Sequence, residues 1–163
     1  MKINRVTLKE NEKEVFEDNI DFSSYPFNET HVRKVEDVHC KIEAYEYGSL
    51  LRVLFHITAK VTAVCSYTLE DVILPINLDD ELYFSSEESD SEDLIYEKSN
   101  IIDMDPHILS LILSRVPIKV IKKGAKPPED GNGYRVLRED EYVKEREERK
   151  DSRWAALDDL ELD

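Results

Sequence analysis

The sequence predicts an α+β fold, a single domain in which an antiparallel, barrel-like or strongly twisted sheet is covered by one main apolar helix. Two observations lead to this prediction. Three segments between residues 38 and 84 alternate apolar and polar residues, a period of two that is typical of half-buried strands. A later segment, residues 105–116, is apolar on most sides and opens with Asp105-Pro106, which favours the start of a helix.

The first third of the chain has little periodicity. Residues 2–8 can form a short strand, whereas residues 10–19 are charged enough to be a loop or a brief exposed helix. Three aromatic residues and a proline fall within residues 22–27, which predicts a loop held on the core by its rings.

The clearest strand pattern runs from Leu51 to Cys65, where every second residue is apolar. So long a strand is expected to bend or break along its length. An alternating segment at residues 38–44 precedes it, and Tyr47-Gly48-Ser49 supplies the turn between the two. A third alternating segment, residues 72–84, follows a chain reversal near residues 66–71. The three predict an antiparallel meander, the local wiring of a small barrel or a strongly twisted sheet.

The chain changes character after the helix, which Pro117 ends. Residues 118–121 can return as a strand, and glycine and proline then crowd residues 124–133. We therefore predict an α+β domain over residues 1–123, followed by a linker and a flexible, acidic C-terminal arm over residues 124–163. The arm ends in an apolar stripe of Trp154, Leu157 and Leu160, which is expected to anchor it to its own domain or to the groove of a partner.

The charge balance limits the possible partners. The chain has 163 residues and a formal net charge of −15, from 37 acidic and 22 basic side chains, which argues against a general phosphate-binding surface. Residues 79–93 contain eight carboxylates and no basic residue. This run is either a solvated mobile loop or an acidic surface for a basic partner. One local exception is a basic cluster, solvated or in contact with phosphate, formed by Lys119, Lys122, Lys123 and Lys126.

The sequence has no apolar run of about 18 residues, and its polar start lacks the apolar core of a signal peptide, so we expect a cytoplasmic protein without membrane contact. Cys40 and Cys65 are its two cysteines, and both lie on apolar strand positions. They are expected to be free thiols in the core, since intracellular thiols stay reduced.

A metal site would have to draw on Cys40, Cys65, His39 and His56, but neighbouring strand residues point to opposite faces, so convergence on one centre is not expected. A nucleophilic Cys65 would need a lowered pKa, and the nearby Glu70 and Asp71 are expected to raise the pKa instead. We therefore expect no metal and no cofactor.

Two carboxylates, Asp103 and Asp105, are spaced so that they could hold magnesium beside a phosphate. The simpler interpretation is that Asp105 caps the helix and Asp103 belongs to the preceding turn. An enzyme that uses Cys65 or this carboxylate pair, a small hydrolase or an RNA-modifying protein, remains the alternative to a non-catalytic protein without a small-molecule substrate.

Three segments, in their order and spacing, resemble the YceD family, the large ribosomal RNA subunit accumulation proteins, in the form found in low-GC Gram-positive bacteria. The first contains Cys65, Leu69, Asp71, Val72 and Pro75. The second is Ile101-Ile102-Asp103, which leads into an apolar helix that ends at Arg115-Val116-Pro117. The third contains Asp151, Arg153, Trp154, Leu157 and Leu160, and it is similar to the terminal Asp-Pro-Arg-x-Ala-x-Leu signature with Ser152 in place of proline. The resemblance runs from about Lys34 to the end.

Thr68 stands where many members of the family have a second cysteine, and no cysteine follows Pro117, so a zinc-binding role does not transfer to this chain. The resemblance implies a non-catalytic factor in the accumulation of large-subunit ribosomal RNA and in the assembly of that subunit. The partner is expected to be a basic ribosomal protein, large-subunit rRNA, or both. The interaction residues expected are those of the three segments together with Lys119, Lys122 and Lys123.

Overall fold

The computed structural model describes residues 1–27 and 31–148. Within these ranges the strands are β1 (Lys2–Asn4), β2 (Lys13–Ile20), β3 (Val32–Tyr47), β4 (Leu50–Val64), β5 (Asp71–Ser85), β6 (Leu94–Tyr96) and β7 (Ile101–Asp103). The helices are α1 (Asp105–Ser114) and α2 (Glu139–Glu148), with a single 3₁₀ turn at Arg5–Thr7. Strands β2 to β6 form a five-stranded sheet in chain order, and β1 pairs with β7 in a separate small sheet. The α+β class is thus confirmed.

The central meander of β3, β4 and β5 is antiparallel, as the alternating segments predict. Tyr47 pairs with Leu50, so Gly48 and Ser49 form a two-residue hairpin loop, with Gly48 at a φ of 62° that suits glycine. The break offered as one alternative for the long strand does not occur, because β4 pairs with β5 without interruption. The irregularities lie in its partner β3, where Asp37 has a φ of 52° beside a shift in register.

The sheet does not close into a barrel, so the prediction of a barrel-like sheet is wrong on this point. A barrel requires its first and last strands to pair, whereas β2 and β6 lie at opposite ends of the order β2-β3-β4-β5-β6. Strand β6 is only 3 residues long and runs parallel to the end of β5, opposite Tyr83–Ser85. The sheet of the described residues is therefore open at both edges.

Strand β2 replaces the loop or exposed helix expected at residues 10–19. Its apolar residues Phe16 and Ile20 pack against the core, while its other side chains are largely charged and exposed. The strand lies at the edge of the sheet, where charged residues discourage pairing with other chains. Its composition therefore resembles that of a loop.

The core lies between one face of the sheet and helix α1. Every second residue of β4 from Leu51 to Ala63 is buried, and Ile108, Leu109 and Ile112 of α1 are buried against this sheet. The opposite face of β4 carries polar side chains such as His56 and Lys60, which are exposed. One face of the sheet is thus left to solvent.

The start of α1 differs from the expected cap. Met104, whose side chain makes no capping hydrogen bond, precedes the helix, and Asp105 is its first residue. The Asp105 carboxylate instead accepts a hydrogen bond from the amino-terminal ammonium of Met1, and the Asp103 carboxylate accepts one from the Asp105 amide at 3.1 Å. Both carboxylates therefore stabilise the junction between β7 and α1.

A buried ion pair fixes the 3₁₀ turn to the β3–β4 hairpin. The Arg5 guanidinium, 7% exposed, donates to Glu46 from Nε at 3.1 Å and from Nη2 at 2.5 Å. Nη2 also donates to the Gly48 carbonyl at 3.4 Å, while Nη1 is buried without a partner in the described part of the chain. Most of the hydrogen bonding of this guanidinium therefore depends on a single carboxylate.

Helix α2 is exposed along the part whose side chains are described, residues 139–147, which agrees with its lack of an apolar face. The residues predicted as the terminal signature and anchor, Asp151, Arg153, Trp154, Leu157 and Leu160, lie outside the described residues. No helix among residues 1–27 and 31–148 is long and apolar enough to cross a membrane.

Candidate interaction surfaces

The turn between β4 and β5 contains the first motif segment. The Cys65 amide donates to the Glu70 carbonyl at 2.8 Å, and the Leu69 amide donates to the Cys65 carbonyl at 2.9 Å, which closes the turn. Leu69 has a φ of 59°, a left-handed conformation that is unfavourable for leucine, and its side chain is 70% exposed. The chain reversal predicted near residues 66–71 is confirmed, with Asp71 and Val72 at the start of β5.

The segment after α1 crosses this turn. The Ser66 amide donates to the Val120 carbonyl at 2.7 Å, and the Lys122 amide donates to the Cys65 sulfur at 3.3 Å. The strand predicted at residues 118–121 is wrong, because these are isolated bonds to a turn and no ladder forms. Val120 is buried, whereas Ile118 is 94% exposed.

Cys65 is fully buried, as expected, but its pKa moves opposite to the prediction. The pKa is lowered from 9.0 to about 7, first because the Lys122 amide donates to the sulfur and next because Thr68 adds a hydrogen bond, while burial opposes the shift. The nearby carboxylates do not reverse this effect. Glu70 is paired with the Lys122 ammonium at 3.0 Å, and Asp71 is paired with Arg33 at 2.9 Å.

Cys40 is also a buried free thiol, and its burial raises its pKa to about 12. The expectation that both cysteines are free core thiols is therefore confirmed. In the described part of the chain, no group of three or more His, Cys, Asp or Glu side chains is placed to hold a metal ion.

The low pKa of Cys65 predicts a rise in stability between about pH 7 and pH 9. The folded thiol ionises near pH 7 and the unfolded thiol near 9.0, so the folded state is favoured increasingly across this window, and the gain is lost as the pH falls through 7. Cys40 acts in the opposite direction only above about pH 9, where its unfolded thiol ionises. Urea unfolding of the full chain at a series of pH values measures this slope. Cys65→Ala should flatten it, and parallel curves for the two proteins would contradict the assignment.

Exposed aliphatic and basic side chains surround the turn. We name this the corner surface and define it by the residues Leu69, Ile118, Lys119, Ile121, Lys122 and Lys123. Lys119 Nζ lies 5.4 Å from the centroid of the Tyr67 ring, and it also pairs with Glu139 at 3.8 Å. Hydrogen bonds thus bring part of the predicted basic cluster to the turn that holds Cys65 and Leu69.

The predicted acidic run divides into a paired and an unpaired part. Asp79, Asp80 and Glu81 belong to β5 and contact His56, Arg115 and Arg52 at 2.6, 3.1 and 2.7 Å. Residues 86–93, which we name the acidic loop, are all exposed. Its carboxylates, which form no ion pair with any residue in the ranges 1–27 and 31–148, are Glu87, Glu88, Asp90, Glu92 and Asp93.

A cavity of about 560 Å³ lies beside the start of α1, lined by residues that include Phe22, Tyr25 and Leu109. Asp103 and Asp105 also line it, but each already accepts a hydrogen bond within the fold. The two carboxylates considered as magnesium ligands therefore have a structural role at the junction between β7 and α1.

The remaining motif residues have structural positions that sequence reasoning left open. Pro75 lies opposite Lys60 in a part of β5 that β6 does not reach, so the missing amide donor is tolerated at this edge. The Pro117 carbonyl lies 3.0 Å from His31 Nε2.

Sequence reasoning missed Arg33, which donates to the Leu69 carbonyl at 3.4 Å, because no local signal links residues 36 positions apart.

Comparisons with known proteins cover most of the chain. A family model described as large ribosomal RNA subunit accumulation protein YceD matches residues 53–161, a range that includes the corner surface, α1 and the acidic loop. The chain is 23% identical over 153 residues to the uncharacterized protein YlbN of Bacillus subtilis (strain 168), an alignment that covers 89% of this chain and 86% of the relative. No solved structure matches the chain significantly.

Proposed function

Because the chain belongs to the YceD family of large ribosomal RNA subunit accumulation proteins, we propose that it supports the accumulation of this RNA by holding a basic ribosomal protein on its acidic loop. The role is non-catalytic: binding keeps the basic protein soluble and available until it joins the large subunit. The observation that carries the proposal is the group of five exposed carboxylates in the acidic loop that lack a cation in the described part of the chain.

The electrostatics of the chain support this mode. The net charge of −15 attracts a basic protein over a long range, and the unpaired carboxylates of the acidic loop concentrate that attraction at one place. The carboxylates in β5 contribute less, because Arg52 and Arg115 already neutralise Glu81 and Asp80. Exposed carboxylates also lose little hydration before contact, so complementary charge mainly speeds and orients the encounter.

Direct contact with rRNA is the second mode that the family resemblance implies, and it would use the basic side chains of the corner surface. Lys122 is already paired with Glu70, and Lys119 is paired with Glu139. Phosphate binding depends on cations that release counterions, and a net charge of −15 opposes the approach of RNA. The protein-binding mode is therefore the one we propose.

The proposal is tested by affinity capture with the tagged full chain from bacterial lysate, at low and high salt and with or without ribonuclease. We expect a basic large-subunit protein to be recovered in a ribonuclease-resistant and salt-sensitive way. A loop-neutral variant should lose this capture; it carries Glu87→Gln, Glu88→Gln, Asp90→Asn, Glu92→Gln and Asp93→Asn.

The matched control neutralises five exposed carboxylates elsewhere, so that both variants have the same net charge. It carries Glu10→Gln, Asp18→Asn, Glu129→Gln, Asp140→Asn and Glu147→Gln, and it should retain the capture. Capture that disappears with ribonuclease would support direct RNA binding and contradict the proposal. Equal loss of capture in both variants would show that the partner responds to the net charge of the chain, and it would contradict binding at the acidic loop.

A further inference from the structure

We propose that the corner surface is the docking site for the chain's own terminal segment, residues 154–163. This inference goes beyond the proposed function, because it concerns a different surface and does not depend on the identity of the ribosomal partner. It rests on the chemistry of the corner surface, on the composition of the terminal segment and on the length of chain that joins them.

The corner surface combines exposed aliphatic side chains with cations. Ile118 is 94% exposed, Leu69 is 70% exposed and Ile121 is 43% exposed, and these three aliphatic residues lie on two segments that hydrogen bonds between Ser66 and Val120 and between Lys122 and Cys65 join. Lys123 is exposed and forms no ion pair with the residues that the structure describes. Leu69 also keeps an unfavourable left-handed backbone conformation while its side chain points to solvent. An occupant of this surface should therefore be both apolar and acidic.

The terminal segment has this composition. Residues 154–163 contain four carboxylates and no basic residue, and Trp154, Leu157 and Leu160 would share one side of a helix. Nucleic acid fits the surface less well, because single-stranded RNA is bound mainly by aromatic stacking and unpaired cations. The ring of Tyr67, which belongs to this turn, already has Lys119 Nζ over it at 5.4 Å from the centroid.

The connecting chain is long enough for the segment to return. Helix α2 begins beside the corner surface, where the Glu139 carboxylate lies 3.8 Å from Lys119 Nζ. Its 10 residues extend about 15 Å at 1.5 Å per residue. The six residues from Glu148 to Trp154 can span roughly 20 Å when extended, which exceeds the length of the helix. A tether this short also gives the segment an effective concentration of about millimolar at the surface.

The fluorescence of the full chain tests the proposal directly, because Trp154 is its single tryptophan. We expect a blue-shifted emission and weak quenching by acrylamide, both independent of protein concentration. The emission should shift to the red at about 1 M salt, where the Debye length is only ~3 Å. Ile118→Ser and Lys123→Glu should each shift the emission to the red and raise the quenching constant several-fold.

The control variants change other exposed residues, which lie outside the corner surface. Val6 is 72% exposed on the 3₁₀ turn and Lys98 is exposed before β7, so Val6→Ser and Lys98→Glu should leave the emission unchanged. A solvent-like Trp154 in the unmodified chain would overturn the proposal. A buried Trp154 that does not respond to the corner variants would also overturn it, because the segment would then dock elsewhere. Emission that depends on protein concentration would assign the segment to a second copy and overturn docking within one chain.

Discussion

Glu46→Ala is expected to lower the free energy of unfolding by about 3–5 kcal/mol, the range for removing one partner of a buried ion pair. The Glu46 carboxylate is the acceptor for Nε and Nη2 of Arg5, and both side chains are largely buried. Its removal would leave the buried Arg5 guanidinium, of which Nη1 already lacks a partner, without a counter-charge among the residues that the structure describes. Urea denaturation monitored by circular dichroism measures the loss.

Two further variants separate this effect from a general loss at strand β3. Glu36→Ala removes an exposed carboxylate from the same strand and should change the free energy of unfolding by only about 0.5 kcal/mol or less. The double variant Arg5→Met with Glu46→Leu should recover most of the stability, because no charge is left buried without compensation. If Glu46→Ala is no more destabilising than Glu36→Ala, the pair does not hold the 3₁₀ turn to the hairpin.

The loop-neutral variant is expected to slow association with the captured basic protein by roughly 10-fold to 1,000-fold at low salt, the range that electrostatic steering contributes to association rates. Dissociation should change less, because exposed charges at the rim of an interface act mainly on the encounter. The melting temperature should remain that of the unmodified chain, since these carboxylates form no ion pair with the residues that the structure describes. Stopped-flow mixing at several salt concentrations measures the rates.

The variant with five carboxylates neutralised outside the acidic loop is the comparison for this experiment. It has the same net charge, so it should keep most of the rate and most of its dependence on salt. If both variants slow association equally, the partner responds to the charge of the whole molecule, and the acidic loop has no special part in binding.

The sequence predicts the central meander well and the edges of the sheet poorly, for a physical reason. Strands β3, β4 and β5 bury one face, so the hydrophobic effect imposes an alternation that is visible in the residues. Among the described strands, β2 has one neighbour and its other edge is free, and its charged residues therefore resemble those of a loop. Closure of the sheet depends on pairing between distant strands, which no local pattern encodes.

For the corner surface, too, contacts between residues that are close in sequence are predictable, whereas contacts between distant residues are not. The residues of the turn are adjacent in sequence, and their reversal was predictable from Ser66 to Asp71. The donor that lowers the pKa of Cys65 comes from Lys122, 57 residues later, and it could not be inferred from the acidic neighbours of the cysteine. Residues 118–121 are compatible with a returning strand in the sequence, but they form none in the structure, and Val120 is the buried residue of this segment.

The unpaired part of β5 has a consequence for the behaviour of the protein at high concentration. Strand β6 covers only Tyr83–Ser85, so the backbone before it has no strand partner on this side among residues 1–27 and 31–148, and its amide and carbonyl groups could template strands of other molecules. Pro75 removes one amide from this row, and the ion-paired side chains of Asp79, Asp80 and Glu81 make part of this strand charged, which also discourages pairing with apolar strands. Pro75, one of the residues expected to contact a partner, therefore also protects this edge of the sheet against aggregation.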